Sequence, residues 1–197
     1  MKDFILWSII WFGIWGILNI YFKWKWEKLK SNKYIPRGLF FLLSYAITYY
    51  FFSNQLYVFS GYLLFSLLIT NIIGIFLSFN KNYFSTFFKD RFFILFQTFN
   101  ILFQQASILV LMLLLKDYLG KSYKDIYFGI IFFAIHTPLL LLPWAKLKYY
   151  LLIGCFFGGW LFSFLNFNIQ YGIVYSFLTH YLVYVWEMYY LKDEAKI

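Results

Sequence analysis

The chain has 197 residues, of which 63% are hydrophobic and 28% aromatic, while only 13% carry a charge. Together with a mean hydropathy of +0.69, this composition lies outside the usual mix of a soluble domain and predicts a polytopic membrane protein. A net charge of +9 does not indicate nucleic acid as a partner, because the lysines lie in loops between apolar runs and form no stripe on a soluble face.

Apolar windows predict seven helices. They lie near residues 4–22, 39–53, 56–79, 92–115, 126–142, 149–166 and 169–188. The second window is the shortest, and a re-entrant or tilted segment is an alternative there. We therefore predict an all-α, polytopic transmembrane helix bundle of about seven spans, forming one integral membrane domain over residues 1–197. Since no appreciable soluble domain remains, any site must lie inside the bundle.

The basic residues are distributed unevenly between the two ends of these helices. Thirteen fall on one side and only Lys2, Lys116, Lys121 and Lys124 on the other. Because cytoplasmic loops carry the excess of lysine and arginine, the C-terminus is predicted to be cytoplasmic and the N-terminus to lie outside. The predicted location is a bacterial cytoplasmic membrane, with the lipid bilayer as one partner.

Polar residues recur along one face of the fourth predicted helix. Gln97, Asn100, Gln104 and Ser107 follow one another at spacings of three and four residues, and Gln105 borders them. Such a face must look into the bundle. Amides also act as interhelical hydrogen-bonding groups, so packing is the favoured interpretation of the stripe taken alone.

Both histidines of the chain fall near the middle of predicted helices. His136 lies in "FFAIHTPLLLLP", where Pro138 can bend the helix just after it. His180 lies in "YSFLTHYLVYVWE", in which Ser176, Tyr184 and Glu187 share its face.

Counting from the flanking charges puts the two histidines near the plane of Gln104 and Gln105. Intramembrane ionisable residues are functional candidates, so we predict a shared polar site, with Asn100, Ser176 and Tyr184 as candidate binding residues. Two imidazoles can hold zinc, but zinc sites usually have three or four protein ligands and amides are poor ones. Stable metal binding is therefore not expected.

Two features of the sixth predicted helix favour packing over chemistry. Gly154 and Gly158 have the spacing that lets helices approach closely. Cys155, the only cysteine, excludes an intrachain disulfide, and nothing beyond its presence supports a nucleophile with a histidine as base.

These residues resemble the CAAX protease and bacteriocin-processing family, also called Abi proteins. That family has a Glu-Glu-x-x-x-Arg segment, then Phe-x-x-x-His, then His-x-x-x-Asn, each in a different membrane helix. Here Phe132 and His136 match the second motif, and His180 matches the first position of the third. The similarity covers about half the chain and implies a family-like core near residues 92–188.

The departures from this pattern lie in the groups that carry the family's chemistry. Gln104 and Gln105 stand where the family has its glutamates, Leu109 where it has arginine, and Tyr184 where the third motif ends in asparagine. The resemblance implies that glutamate and the histidines activate a water for peptide cleavage. Glutamine keeps the shape of glutamate but cannot take a proton from water.

The leading hypothesis is therefore a non-catalytic partner, a peptide-binding subunit or an immunity-type subunit of a membrane complex, with no cofactor and with another membrane protein or a peptide as partner. An active intramembrane endopeptidase is the second hypothesis, in which His136 and His180 are catalytic or hold zinc. A small-molecule transporter subunit is the third, since length and span count also suit such proteins.

Overall fold

A computed structural model describes residues 1–18, 21, 34–79, 91–119, 124–137 and 148–194. Helix accounts for 94% of these residues, and no strand occurs among them. The all-α fold class predicted from the sequence is confirmed.

Each predicted apolar window corresponds to one helix within the described ranges. A short helix, Ser53–Leu56, and a 3-10 turn, Tyr57–Phe59, precede the third. The main helices are α1 (Lys2–Ile10, continued by a π-helical segment over Trp11–Leu18), α2 (Tyr34–Phe51), α3 (Ser60–Phe79), α4 (Arg91–Leu115), α5 (Lys124–His136), α6 (Lys148–Asn168) and α7 (Gly172–Glu194).

Two boundaries differ from the prediction. Helix α2 begins at Tyr34 rather than at residue 39 and runs for 18 residues. The predicted length of the second helix was therefore too short. Pro36 lies in its first turn, where the missing N–H has no intrahelical partner to lose. For α5, the predicted continuation to residue 142 and the bend at Pro138 lie outside the described residues.

Helix α4 is the centre of the bundle. It packs against α1, α2, α3 and α7, and 78% of its most apolar stretch is buried. Phe103, Val110 and Leu111 have no exposed surface. A helix that is apolar around most of its circumference lies either in a protein core or in a membrane, and α4 is covered on most sides by its neighbours.

Two described stretches are long and apolar enough to cross a membrane, Ser53–Leu77 and Phe93–Leu115. Only 22% of the first is buried, so α3 lies at the outside of the bundle.

The close approach of α5 and α6 depends on different glycines from those predicted. A Cβ atom at Gly154 would meet nothing within 4 Å. At Gly129 it would lie 2.9 Å from the carbonyl oxygen of Phe156, and at Gly159 it would collide with the side chain of Phe132. The prediction of a helix contact was therefore wrong for Gly154, whereas a Cβ atom at Gly158 would lie 4.0 Å from the ring of Phe132. The tightest contact on α6 is at Gly159, because this residue lies on the face that α6 turns toward α5.

A three-residue turn joins α6 to α7 and reverses the chain. Its last residue, Tyr171, has φ 59°, and a Cβ atom at Gly172 would collide with the carbonyl group of Leu165. The turn makes α6 and α7 antiparallel neighbours. It thereby places the polar face of α7 beside both α6 and α4.

Candidate functional site

The polar face of α4 is buried in the bundle, as its spacing predicts. Gln97, Asn100, Gln104 and Gln105 are between 2% and 7% exposed. Buried amides are costly unless their donors and acceptors are paired. The hydrogen bonds of these side chains therefore show what holds them in place.

Gln104 joins α4 to α7. Its Nε2 atom donates to Oδ1 of Asn100, 2.9 Å away and one turn earlier on the same helix. The same Nε2 donates to the hydroxyl oxygen of Tyr184 at 2.8 Å. Both N–H groups of this amide are thus occupied, one within α4 and one across the helix interface.

Gln105 makes a second connection between the same helices. Its Nε2 atom lies 3.0 Å from Nδ1 of His180 and 3.4 Å from the carbonyl oxygen of Ser176. The hydroxyl of Ser176 lies 3.2 Å from Oε1 of Gln105. A carbonyl oxygen only accepts hydrogen bonds, so the amide nitrogen faces Ser176 and His180, and Nδ1 of His180 is an acceptor.

A further member of this cluster, Asn166 of α6, was missed by the sequence analysis. The hydroxyl of Ser176 lies 3.1 Å from Oδ1 of Asn166, and Nδ2 of Asn166 lies 3.5 Å from the sulfur of Met112. An asparagine in an otherwise apolar predicted span was the available signal. We define the amide cluster by its members, which are Asn100, Gln104, Gln105, Asn166, Ser176, His180 and Tyr184.

The second histidine lies beside this cluster. Nδ1 of His136 is 2.7 Å from the carbonyl oxygen of Phe132. The ring of Phe132 lies 4.3 Å from that of His136, and the ring of Phe162 lies 5.3 Å from that of His180. The two phenylalanine rings are 6.0 Å apart.

The two histidines therefore lie in one region of the bundle, with the rings of Phe132 and Phe162 between them. The hydrogen bonds described for the two imidazoles run to Gln105 and to the carbonyl oxygen of Phe132.

Ser107 shares the face of α4 but does not join the amide cluster. Its carbonyl oxygen accepts a hydrogen bond from the indole nitrogen of Trp7 at 2.7 Å, and its hydroxyl is buried without a partner. The side chain of Glu187 lies outside the described part of the chain. Leu109, at the position of the family's arginine, is buried in the hydrophobic core.

Among the described residues, His136 and His180 are the candidate zinc ligands. Within the described ranges, no three histidine, cysteine, aspartate or glutamate side chains are grouped as metal ligands would be. Two imidazoles fall one short of the three protein ligands of catalytic zinc, and Gln105 already occupies one nitrogen of His180. The cluster is equipped instead to hold helices together and to donate or accept hydrogen bonds.

Comparison of the chain with protein-family models, with curated proteins and with solved structures finds no match. The site must therefore be interpreted from its own geometry.

Proposed function

We propose that this chain is an integral membrane protein with a bundle like that of the CAAX-type intramembrane proteases, and that it has no proteolytic activity. It acts as a partner subunit of a membrane complex and binds another membrane protein or a peptide. The proposed bundle has about seven spans, with the N-terminus outside and the C-terminus in the cytoplasm.

The distribution of polar and apolar side chains supports the membrane location. Large apolar side chains cover the outer surface, whereas amides, hydroxyls and imidazoles are buried. Exposed apolar surface on this scale needs a covering, and lipid covers it without cost. Side chains between 51% and 62% exposed include Leu39, Leu43, Leu64, Phe65, Leu68, Ile130, Ile153, Phe157 and Leu182.

The packing of α5 on α6 fits two consecutive spans. Nζ of Lys124, at the start of α5, lies 3.3 Å from Oδ1 of Asn168, at the end of α6. The hydroxyl of Ser163 donates to Asp125 at 2.5 Å. The two helices are thus antiparallel, and these four charged and polar side chains lie toward one end of the pair, where a bilayer surface can solvate them.

One contact carries the proposal of lost catalysis. Gln104 and Tyr184 occupy two of the positions at which the chain departs from the protease pattern, and they are hydrogen-bonded to each other at 2.8 Å. The substitutions therefore act together as an interhelical link. The amide nitrogen of Gln104 donates to both Asn100 and Tyr184. An ionised glutamate at position 104 could only accept hydrogen bonds.

The surroundings of the imidazoles support the same conclusion. The carboxylates whose side chains are described are Asp3, Asp117 and Asp125. None of these three hydrogen-bonds to the amide cluster or to His136, and Asp125 is bonded by Ser163. In the protease pattern a glutamate acts together with the histidines on the water, and none of these three carboxylates takes that place.

The test uses purified protein in lipid nanodiscs and a panel of membrane-protein and prenylated peptides. We expect no hydrolysis by the native chain and a stable complex with one partner after crosslinking in native membranes. Hydrolysis that disappears in both His136→Ala and His180→Ala, but persists in the surface control Ile130→Ala, would overturn the proposal. Stoichiometric zinc that is lost in the double histidine variant would favour the endopeptidase alternative.

A further inference from the structure

A ladder of tryptophans runs along α1 and its π-helical continuation. Trp7, Trp11 and Trp15 are spaced four residues apart and stack on one another, with ring centroids 5.8 and 5.1 Å apart and interplanar angles of 9° and 12°. The π-helical segment begins at Trp11. Such segments are rare and occur frequently at functional sites.

The middle tryptophan of the ladder has an unpaired donor. Trp11 is completely buried, and its indole Nε1 has no hydrogen-bond partner in the structure. Trp7, one turn earlier, donates its indole N–H to the carbonyl oxygen of Ser107 at 2.7 Å. Because a buried unsatisfied donor is costly and uncommon, the Trp11 N–H indicates a bound acceptor.

His136 supplies the complementary group beside Trp11. Its Nδ1 faces the carbonyl oxygen of Phe132, which can only accept, so Nδ1 carries the proton and Nε2 presents a lone pair. The imidazole ring lies 5.4 Å from the ring of Trp11 and 5.2 Å from that of Trp15, at interplanar angles of 70° and 71°. The indole that carries the unpaired donor and the imidazole that carries the acceptor are thus in edge-on ring contact between α1 and α5.

We propose that the junction of α1 and α5 binds a hydroxyl group. Its oxygen accepts the hydrogen bond from Nε1 of Trp11, and its proton is donated to Nε2 of His136. A carboxylate or a carbonyl cannot donate to His136, and an ammonium group cannot accept from Trp11. The buried hydroxyl of Ser107, on the turn of α4 next to Trp7, is a second unpaired polar atom close to this junction.

The hydroxyl belongs either to a buried water or to an apolar alcohol dissolved in the bilayer. Both carry a hydroxyl group with the same hydrogen-bonding chemistry. The side chains of Trp15 and Phe132 contact His136 and provide an apolar surface that suits the alcohol. This site is separate from the amide cluster and does not depend on the proposed partner function.

A matched pair of variants tests whether the Trp11 N–H is bonded. Trp7→Phe removes a known hydrogen bond and Trp11→Phe removes the proposed one, while both remove the same indole volume. We expect the two variants to lower the midpoint of thermal unfolding in nanodiscs by similar amounts. If the N–H is unbonded, Trp11→Phe loses only the packing of the indole and lowers the midpoint clearly less than Trp7→Phe does, and that result would overturn the proposal.

NMR of the imidazole nitrogens is an independent measurement, and it distinguishes a bound water from a bound apolar alcohol. The Nε2 signal of His136, assigned with His136→Phe, should shift when Trp11 is replaced by phenylalanine. A solvent isotope shift in deuterium oxide without additive that is lost in Trp11→Phe identifies water, because exchange of the ring's own proton is unaffected by that variant. A saturable shift with fluorobenzyl alcohol, absent with fluorotoluene and absent in Trp11→Phe, identifies an apolar alcohol. A signal insensitive to Trp11→Phe and to all three additions refutes the site.

Discussion

The side-chain nitrogen of Gln105 lies 3.0 Å from Nδ1 of His180, and this contact joins the centre of α4 to α7. Both side chains are buried. Since the amide donates to Nδ1, the proton of the neutral imidazole is on Nε2. The tautomer is opposite to that of His136, whose Nδ1 carries the proton. The two histidines of the chain therefore differ chemically, although the sequence presents them as equivalent.

Replacing Gln105 by leucine should destabilise the bundle. The change leaves Nδ1 of His180 without the donor that the amide supplies, and an acceptor left unpaired in a buried site costs about 1–3 kcal/mol. The hydroxyl of Ser176 loses one acceptor but keeps its contact with Asn166. We expect a clear fall in the midpoint of thermal unfolding in nanodiscs. Gln55→Leu, at a half-buried position of the short helix before α3, is the matched control. Equal midpoints for the two variants would contradict the role assigned to Gln105.

The bond between Gln104 and Tyr184 can be measured by a double-mutant cycle. Gln104→Leu, Tyr184→Phe and the double variant should show a favourable coupling of about 0.6 kcal/mol, and of about 1.7 kcal/mol at most, as is typical of interhelical hydrogen bonds in membranes. The cycle isolates the pair because each single change removes the 2.8 Å contact. Additive effects would show that the link makes no net contribution to stability.

The helices and the polar faces could be predicted from the sequence because hydropathy and periodicity are local properties. The spacing of Asn100 and Gln104 alone places both on one face, and they are bonded to each other at 2.9 Å. Counting depth from the flanking charges also brings Gln105 and His180 to one level, where they are in contact.

Contacts that depend on the rotation of one helix against another could not be predicted. The sequence offers Gly154, Gly158 and Gly159 within six residues, and only the packing of α6 on α5 selects Gly159 as the point of contact. The position of Trp11 against His136 depends in the same way on a π-helical segment. Apolar periodicity does not distinguish such a segment from an α-helix.

Two glycine substitutions test the α5–α6 contact. Gly129→Ala places a Cβ atom 2.9 Å from the backbone oxygen of Phe156, which cannot move aside cheaply, and overpacking of this kind costs about 1–3 kcal/mol. Gly154→Ala meets nothing within 4 Å and should be neutral or stabilising, because alanine is the better helix former. Unfolding midpoints of the two variants give the comparison. Destabilisation by Gly154→Ala that matches Gly129→Ala would contradict the packing described.

The two glutamines should differ in their response to the isosteric change to glutamate. At position 104 the partners can adapt, because the amide of Asn100 can rotate and the hydroxyl of Tyr184 can donate instead of accept. At position 105 one partner is the carbonyl oxygen of Ser176, which can only accept and would face a carboxylate. Gln105→Glu should therefore lower the unfolding midpoint more than Gln104→Glu does. The reverse order would show that the amide of Gln105 is oriented the other way, with its oxygen toward His180.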